Sequence, residues 1–334
     1  APSGMRGVME AILVTGGAGF IGSHLVDRLL ADGRRVVALD NFDPFYPVDV
    51  KERNLQGALS SRSFTLVRGD IRDSKALAEA FGAGPFGAVV HLAAKAGVRP
   101  SIADPVGYAS VNIEGTVRVL EASRVHGVGR FVFGSSSSVY GDNPKVPFSE
   151  DDPVDHPISP YAATKRAGEL LAHTYHHLFG LDVACLRFFT VFGPRQRPDL
   201  AIHKFTRLLA DGRPIPVYGT GTSGRDYTYV DDIVEGIVRA TERVRGFRIW
   251  NLGGAHPVLL DDLVAAIAAG LGTAPRIDRL AAQPGDVVRT WADIGRAAAE
   301  LDWRPRTGFP EGIGTFIAWF RAERAARAAS GSSS

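Results

Sequence analysis

Short, almost unbroken apolar runs alternate along the first half of this chain with longer stretches whose apolar positions return every third or fourth residue. Met9–Thr15, Arg35–Leu39, Thr65–Arg68, Ala88–Leu92, Arg130–Ser135 and Val183–Phe188 read as buried strands. Ser23–Asp32, Ser74–Phe81, Val106–His126 and Tyr161–Phe179 read as helices between them. Strands with no polar face belong inside a sheet covered on both sides. Strand and helix in alternation predict an α/β fold with a doubly wound parallel sheet. After Thr190 the rhythm breaks and Pro194, Pro198, Pro214 and Pro216 punctuate the chain. Asp231–Arg243 reads as a helix returning to the first unit, and helices with short strands follow from Asp261. Residues 9–190 with 228–255 are therefore expected to form one domain. Residues 191–227 and 256–325 are expected to form a smaller, discontinuous α/β substrate domain.

Composition changes this picture little. The chain has 334 residues, 45% hydrophobic and 22% charged, an ordinary globular balance. A net charge of +2 gives no reason to expect nucleic acid or a membrane surface as partner. No apolar stretch has the length of a membrane helix, and no signal peptide is visible at the start. The single cysteine, Cys185, cannot form an intrachain disulfide. Its apolar neighbours place it in the core, and a reducing cytoplasm is the expected setting.

Thr15-Gly16-Gly17-Ala18-Gly19-Phe20-Ile21-Gly22 falls between a strand and a helix. Glycines at 16, 19 and 22 suit a tight turn, a close approach of backbone to pyrophosphate and close helix packing, as in a Rossmann-type dinucleotide site. The free N–H groups of the following helix favour an anion. Asp40 closes the second strand, where an acid accepts from ribose hydroxyls and repels a 2′-phosphate; this favours NAD over NADP. Arg34, Arg35 and Lys51 stand near enough in sequence to soften that repulsion. Asp70, after the third strand, is placed to meet the adenine amino group or simply to make a turn. His91 reads as a packed strand-end residue.

Tyr161 and Lys165 lie one helical turn apart, on one face. An ammonium beside a phenol lowers the phenol pKa, and a phenol so tuned can accept and return a hydroxyl proton. Ser135-Ser136-Ser137-Ser138 follow the fifth strand at its C-terminal end, where such folds place ligands.

These segments, with Asp40-Asn41, Gly69-Asp70-Ile71, His91-Leu92-Ala93-Ala94 and Gly224-Arg225-Asp226-Tyr227, resemble the extended short-chain dehydrogenase/reductase family. Within it the chain is most similar to the nucleotide-sugar 4-epimerases, over Thr15 to about Asp293. The resemblance implies Tyr161 as catalytic base and acid, Lys165 as its partner on the nicotinamide ribose, and Ser136, ahead of Ser137, as the hydroxyl at sugar O4. It implies NAD contacts from Gly16, Gly19, Phe20, Ile21, Gly22, Asp40, Asn41, Asp70, Ile71, Leu92, Ala93, Ala94 and Asn112, besides Tyr161 and Lys165. A homodimer built on the Val106–His126 and Tyr161–Phe179 helices is also implied.

Related dehydratases and decarboxylases place carboxylic acids where this chain has Ser137 and Ser138. Their absence favours simple return of the hydride, hence epimerisation. Leu186–Pro194 with Arg197-Pro198-Asp199-Leu200-Ala201 is similar to the UDP-glucuronate branch, although Phe192, Gln196 and Lys95 depart from its pattern. Ser137, Ser138, Thr190 and Arg197 are then expected at the sugar carboxylate, Arg197 being equally suited to phosphate. Arg225, Arg289 and Arg99 are expected near the diphosphate or sugar, Tyr218 at uracil and Asp286 at a nucleotide ribose. A UDP-glucose or UDP-N-acetylglucosamine epimerase is the rival expectation, with a dehydratase behind it. A dinucleotide-sensing binding protein is the rival outside enzymes, and the intact Ser136, Tyr161 and Lys165 argue against it.

Overall fold

A computed structural model of the chain describes residues 10–219, 221, 223–281 and 289–331. In chain order the elements are β1 Ala11–Thr15, α1 Phe20–Ala31, β2 Val36–Asp40, α2 Val48–Leu59, β3 Phe64–Arg68, α3 Ser74–Gly82 and β4 Phe86–His91. Then come α4 Val98–Ala103, α5 Pro105–Ala109, a π-helical turn Ser110–Glu114, α6 Gly115–Val125, β5 Arg130–Ser136, a 3-10 turn Ser137–Tyr140, α7 Pro160–Phe179 and β6 Asp182–Phe188. The remainder is β7 Thr190–Phe192, α8 Ala201–Ala210, β8 Ile215–Tyr218, β9 Gly224–Tyr229, α9 Val230–Arg243, β10 Phe247–Leu252, β11 Pro257–Leu259, α10 Leu260–Leu271, β12 Ile277–Leu280, α11 Gly295–Leu301 and α12 Phe309–Gly331.

Seven strands make one sheet in the order β3-β2-β1-β4-β5-β6-β10, and every pair in it is parallel. The doubly wound α/β sheet expected from the apolar rhythm is therefore present. Successive strand residues enter opposite cores, as the period of two requires. Ile12, Val14, Val36 and Ala38 join α1, α2 and α9 on one side. Ala11, Leu13, Val37 and Leu39 join α3, α6 and α7 on the other. Cys185 is fully buried and free in that second core. The first core continues through Val191, Phe205, Val217, Leu263 and Phe316 beneath two small sheets, β11-β9-β7 and β12-β8.

Several elements were not in the sequence reading, among them α4 and the edge strand β10. Helix α2 was not foreseen, because its buried face includes Lys51 and Asn54 beside Leu55 and Ala58. The helix expected over Val106–His126 is broken by the Ser110–Glu114 π turn, which carries the buried Asn112. No helix among the described residues is long and apolar enough to cross a membrane.

The fold also fixes where a ligand can sit. β1 pairs with β2 on one side and β4 on the other, so the strand order reverses there. The crevice at the carboxyl ends of β1 and β4 is the topological switch point, where open parallel sheets bind ligands.

Candidate active site

The glycine loop lies in that crevice. Gly16 N–H donates to the Leu39 carbonyl (2.8 Å), which ties the loop to β2. A Cβ on Gly22 would stand 2.1 Å from the Gly16 carbonyl oxygen, so only glycine lets α1 approach this closely. A Cβ on Gly19 would meet nothing within 4 Å except that same oxygen, at 3.2 Å. No side chain caps α1 and no acid lies in its first turn. The first-turn N–H groups around Phe20 and Ile21 and the positive end of the helix dipole are thus left for an anion. An uncapped helix start behind an open glycine face fits a dinucleotide pyrophosphate.

Asp40 is buried and accepts from Ala18 N–H (3.0 Å) and Phe42 N–H (2.8 Å), one per carboxylate oxygen. Each oxygen keeps lone-pair capacity for a ribose hydroxyl. Arg34 pairs with Glu242 and Arg35 with the Ala83 carbonyl, at the other end of β2, so neither faces Asp40. Lys51 does. Burial pushes its ammonium pKa down, while Asp40 and Asp43 pull it up. Asp70 is held to about 2, chiefly by Arg72, which bonds both its oxygens; Asn41 Nδ2 donates to it as well (3.0 Å). The Ile71 side chain is in the core, which leaves only its backbone for a cofactor. Leu92 and Ala93 N–H groups donate to the Thr15 carbonyl and hydroxyl, which seats the Leu92-Ala93-Ala94 turn against the glycine loop.

His91 is a brace. The Thr116 hydroxyl donates to the Asn112 carbonyl (2.6 Å) and so accepts from His91 Nε2 (3.0 Å). Nδ1 must then accept from the Thr15 hydroxyl (2.6 Å). Burial, with a smaller push from the Lys165 charge, lowers the imidazole to about 3, which keeps it neutral. Asn112 has its amide engaged within the protein. Its Oδ1 accepts from Lys95 N–H (2.8 Å), and its Nδ2 donates to the Lys95 carbonyl (2.9 Å) and the Thr164 hydroxyl (3.0 Å). The side chain thereby fastens the loop after β4 to α7, where a direct contact to the cofactor was expected.

Strand alternation separates the serines at the end of β5. Ser135 donates to the buried Glu169 behind the sheet (2.7 Å). Ser136 turns the other way, caps the 3-10 turn by accepting from Ser138 N–H (3.1 Å), and donates to the Ser138 hydroxyl (3.1 Å). Ser159 caps α7 through Ala162 N–H (3.1 Å), which puts Tyr161 in its first turn. The Ser136 hydroxyl acts on the Tyr161 phenol to lower its pKa, and the Tyr108 ring meets Tyr161 edge-on at 6.3 Å.

One expectation is corrected here. Lys165 was expected to lower the Tyr161 pKa. In this structure its ammonium donates to the Gly134 carbonyl (2.7 Å) and lies 6.0 Å from the Tyr161 ring centroid. Burial pushes the phenol above its ordinary value, and the groups that pull it down are Ser136 and Arg197. Burial also lowers the Lys165 ammonium to about 8, against the pull of Glu169.

Arg197 reaches this centre from the loop before α8. Asp199 grips it through Nε (3.0 Å) and Nη2 (2.7 Å), and the Phe45 ring lies 5.2 Å from the guanidinium. Tyr108 and Phe45 were not foreseen at this centre; each depends on a contact between distant segments. Thr190 pairs in register with Tyr227 of β9. Arg225 of β9 stands beside Arg289, which bridges to the adjacent Gly224. Asp226, next to Arg225 in the strand, is buried and accepts from the backbone of Ala255 and Ala292. Arg99 stacks on the Tyr218 ring at 5.3 Å, joining those two candidates. Ser137 and Ser138 are half-buried beside Ser136. Asp286 lies outside the described residues.

A glycine cradle at the switch point, an acid at the end of β2 and a tyrosine–lysine turn behind a serine loop define the class: a dinucleotide-dependent enzyme that moves a hydride and a hydroxyl proton. Residues 12–253 match the NAD dependent epimerase/dehydratase family, and the chain belongs to that family. It is 41% identical to a UDP-glucuronate 4-epimerase of Thermodesulfobacterium geofontis, over 93% of this chain and 96% of that one. Among solved structures, a UDP-glucuronic acid 4-epimerase from Bacillus cereus in complex with UDP-glucuronic acid and NAD matches with a TM-score of 0.88 and 36% identity, covering 93% and 99% of the two chains. A UDP-glucose 4-epimerase with UDP-glucose from Thermotoga maritima matches with a TM-score of 0.86 and 32% identity, covering 94% and 99%.

Proposed function

We propose that the chain catalyses NAD-dependent 4-epimerisation of UDP-glucuronate to UDP-galacturonate. NAD, held by the glycine loop, Asp40 and Lys165, supplies a reversible hydride acceptor at the sugar C4. Tyr161 takes the C4 hydroxyl proton, with the Ser136 hydroxyl as the relay between phenol and substrate oxygen. The 4-keto sugar rotates in place, and Tyr161 returns the proton once C4 has been reduced from its other face. Residues 191–227 and 256–325 carry the nucleotide end, with Arg225 and Arg289 on the diphosphate; Arginine's planar fork suits phosphate oxygens.

The observation that carries the reading is the composition of the turn beside Tyr161. Ser136, Ser137 and Ser138 offer hydroxyls and no acid, and Arg197 adds a cation whose field already reaches the phenol. Neutral donors with Thr190 and Arg197 can hold a C5 carboxylate in the ring plane, where the bond to carbon dioxide is misaligned with the 4-ketone. Incubation with UDP-glucuronate is expected to give UDP-galacturonate and no pentose, and Thr190→Ala to release pentose. Turnover of UDP-glucose alone would overturn the assignment.

We infer further that two copies associate through α5, α6 and α7, which expose Val106, Val125, Leu170, Leu178 and Phe179. Large apolar side chains gathered on neighbouring helices mark an interface. Sedimentation is expected to give a dimer, and Leu178→Glu a monomer; a monomeric parent protein would refute this.

A further inference from the structure

Behind the serine loop lies a charged pair that the reaction does not use directly. Glu169 and Arg187 are buried, with side chains 0% and 1% exposed. Arg187 donates to Glu169 through Nε and Nη2, both at 2.9 Å. Ser135 donates to Glu169 Oε1 (2.7 Å) and Arg166 to Oε2 (3.1 Å). Each carboxylate oxygen thus has two donors, which fills its capacity. Arg187 also donates to the Tyr140 hydroxyl (3.0 Å), which donates to Asn251 (2.6 Å).

Stability alone does not explain such a pair. Buried ion pairs seldom stabilise more than apolar residues of the same volume. Position does explain it. Glu169 lies one turn beyond Lys165 on α7, and helical residues four apart share a face. Lys165 is a buried ammonium whose protein hydrogen bond is to a neutral carbonyl, Gly134, and a buried charge needs a counter-charge. The other titratable or charged groups around it are Tyr161 and Arg166 on α7, His91 on β4, Cys185 and Arg187 on β6, and Tyr140 on the 3-10 turn. His91 is held neutral, as set out above, and burial keeps Cys185 and Tyr140 protonated. Glu169 is the anion in this set.

We propose that Glu169 is a positioning residue for the catalytic lysine. Its carboxylate, locked by Ser135, Arg166 and Arg187, is the counter-charge that keeps Lys165 a cation while the Gly134 carbonyl sets its direction. The proposal rests on Tyr161 and Lys165 being the proton-transfer pair. It adds that the pair works only while the ion pair behind it is intact.

The chain has six lysines, few enough to follow each by NMR of protein carrying 13Cε-lysine, with NAD present. The Lys165 signal is assigned by its loss in Lys165→Met. In Glu169→Gln the Lys165 titration midpoint is expected to fall by about one pH unit or more, the scale of a lost neighbouring charge. The alkaline limb of kcat is expected to move down with it. In Glu169→Asp, which keeps the charge, the midpoint should stay near that of the parent. A Lys165 midpoint unchanged in Glu169→Gln overturns the proposal, because a purely structural role predicts lower stability with no shift. Should the lone Arg187 prevent Glu169→Gln from folding, Glu169→Gln/Arg187→Gln removes both charges. The midpoint should again fall, since the Glu169 charge is what pulls the Lys165 ammonium up, and an unchanged or raised midpoint overturns the proposal. The titration needs no substrate, so its outcome is separate from the fate of the epimerase assignment.

Discussion

Replacing Tyr161 with phenylalanine is expected to lower kcat by about 10²–10⁴-fold, the range supplied by a positioned general acid–base group. The substitution removes one oxygen and leaves the ring, so the edge contact with Tyr108 and the first turn of α7 should persist. NAD should remain bound, because the glycine loop, Asp40 and Lys165 are untouched. Burial keeps the phenol above its ordinary pKa in this structure, opposed by Ser136 and Arg197. Activity should therefore rise with pH until the phenol is ionised or Lys165 loses its proton, and Tyr161→Phe should lose the acidic limb of that profile. Steady-state rates across pH, with NAD content measured after denaturation, check this. Wild-type rates in Tyr161→Phe would remove Tyr161 from the chemistry. Loss of NAD together with activity would make its role structural.

Gly22→Ala is expected to have the largest effect away from the reacting groups. Its Cβ would lie 2.1 Å from the Gly16 carbonyl oxygen and 3.0 Å from Gly17 Cα. Both are backbone atoms, and no rotamer change relieves the clash. Either α1 withdraws from β1 or the loop opens, and overpacking of this kind costs about 1–3 kcal/mol. At about 1–2 °C per kcal/mol for a chain of this length, Tm should fall by a few degrees. Because the loop is also the pyrophosphate cradle, the share of molecules carrying NAD should fall further than stability does. Thermal unfolding with added NAD separates the effects: NAD should raise Tm in the parent and barely in the variant. Equal stabilisation of both would show that the cradle tolerates a methyl group.

The sheet was legible because its strands are buried on both faces and read as apolar runs. Helix α2 was hidden because Lys51 and Asn54 occupy its inner face, positions that an apolar pattern cannot mark. The π turn at Ser110–Glu114 was hidden for another reason: one extra residue per turn barely disturbs a helical pattern. The glycine loop and the Tyr161–Lys165 turn are local, so their spacing, read with their place among the strands and helices, announced them. The stacking of Arg99 on Tyr218, the Phe45 ring against Arg197 and the Tyr108 ring against Tyr161 join segments far apart in the chain, and no local pattern encodes them. Arg34 and Arg35 show the limit of proximity in sequence, since the length of β2 carries Asp40 away from both. The direction of the Lys165 ammonium also depended on tertiary structure, because the helix fixes only its face and the Gly134 carbonyl decides where it points.

The central claim is that the hydride taken from C4 returns to C4. UDP-glucuronate carrying deuterium at C4, incubated in ordinary water with the NAD-loaded protein, tests it directly by mass spectrometry and NMR of the product. The account predicts UDP-galacturonate that retains its deuterium at C4, with no pentose. Deuterium lost to solvent, deuterium moved to another carbon, or a dehydrated or decarboxylated product would contradict it.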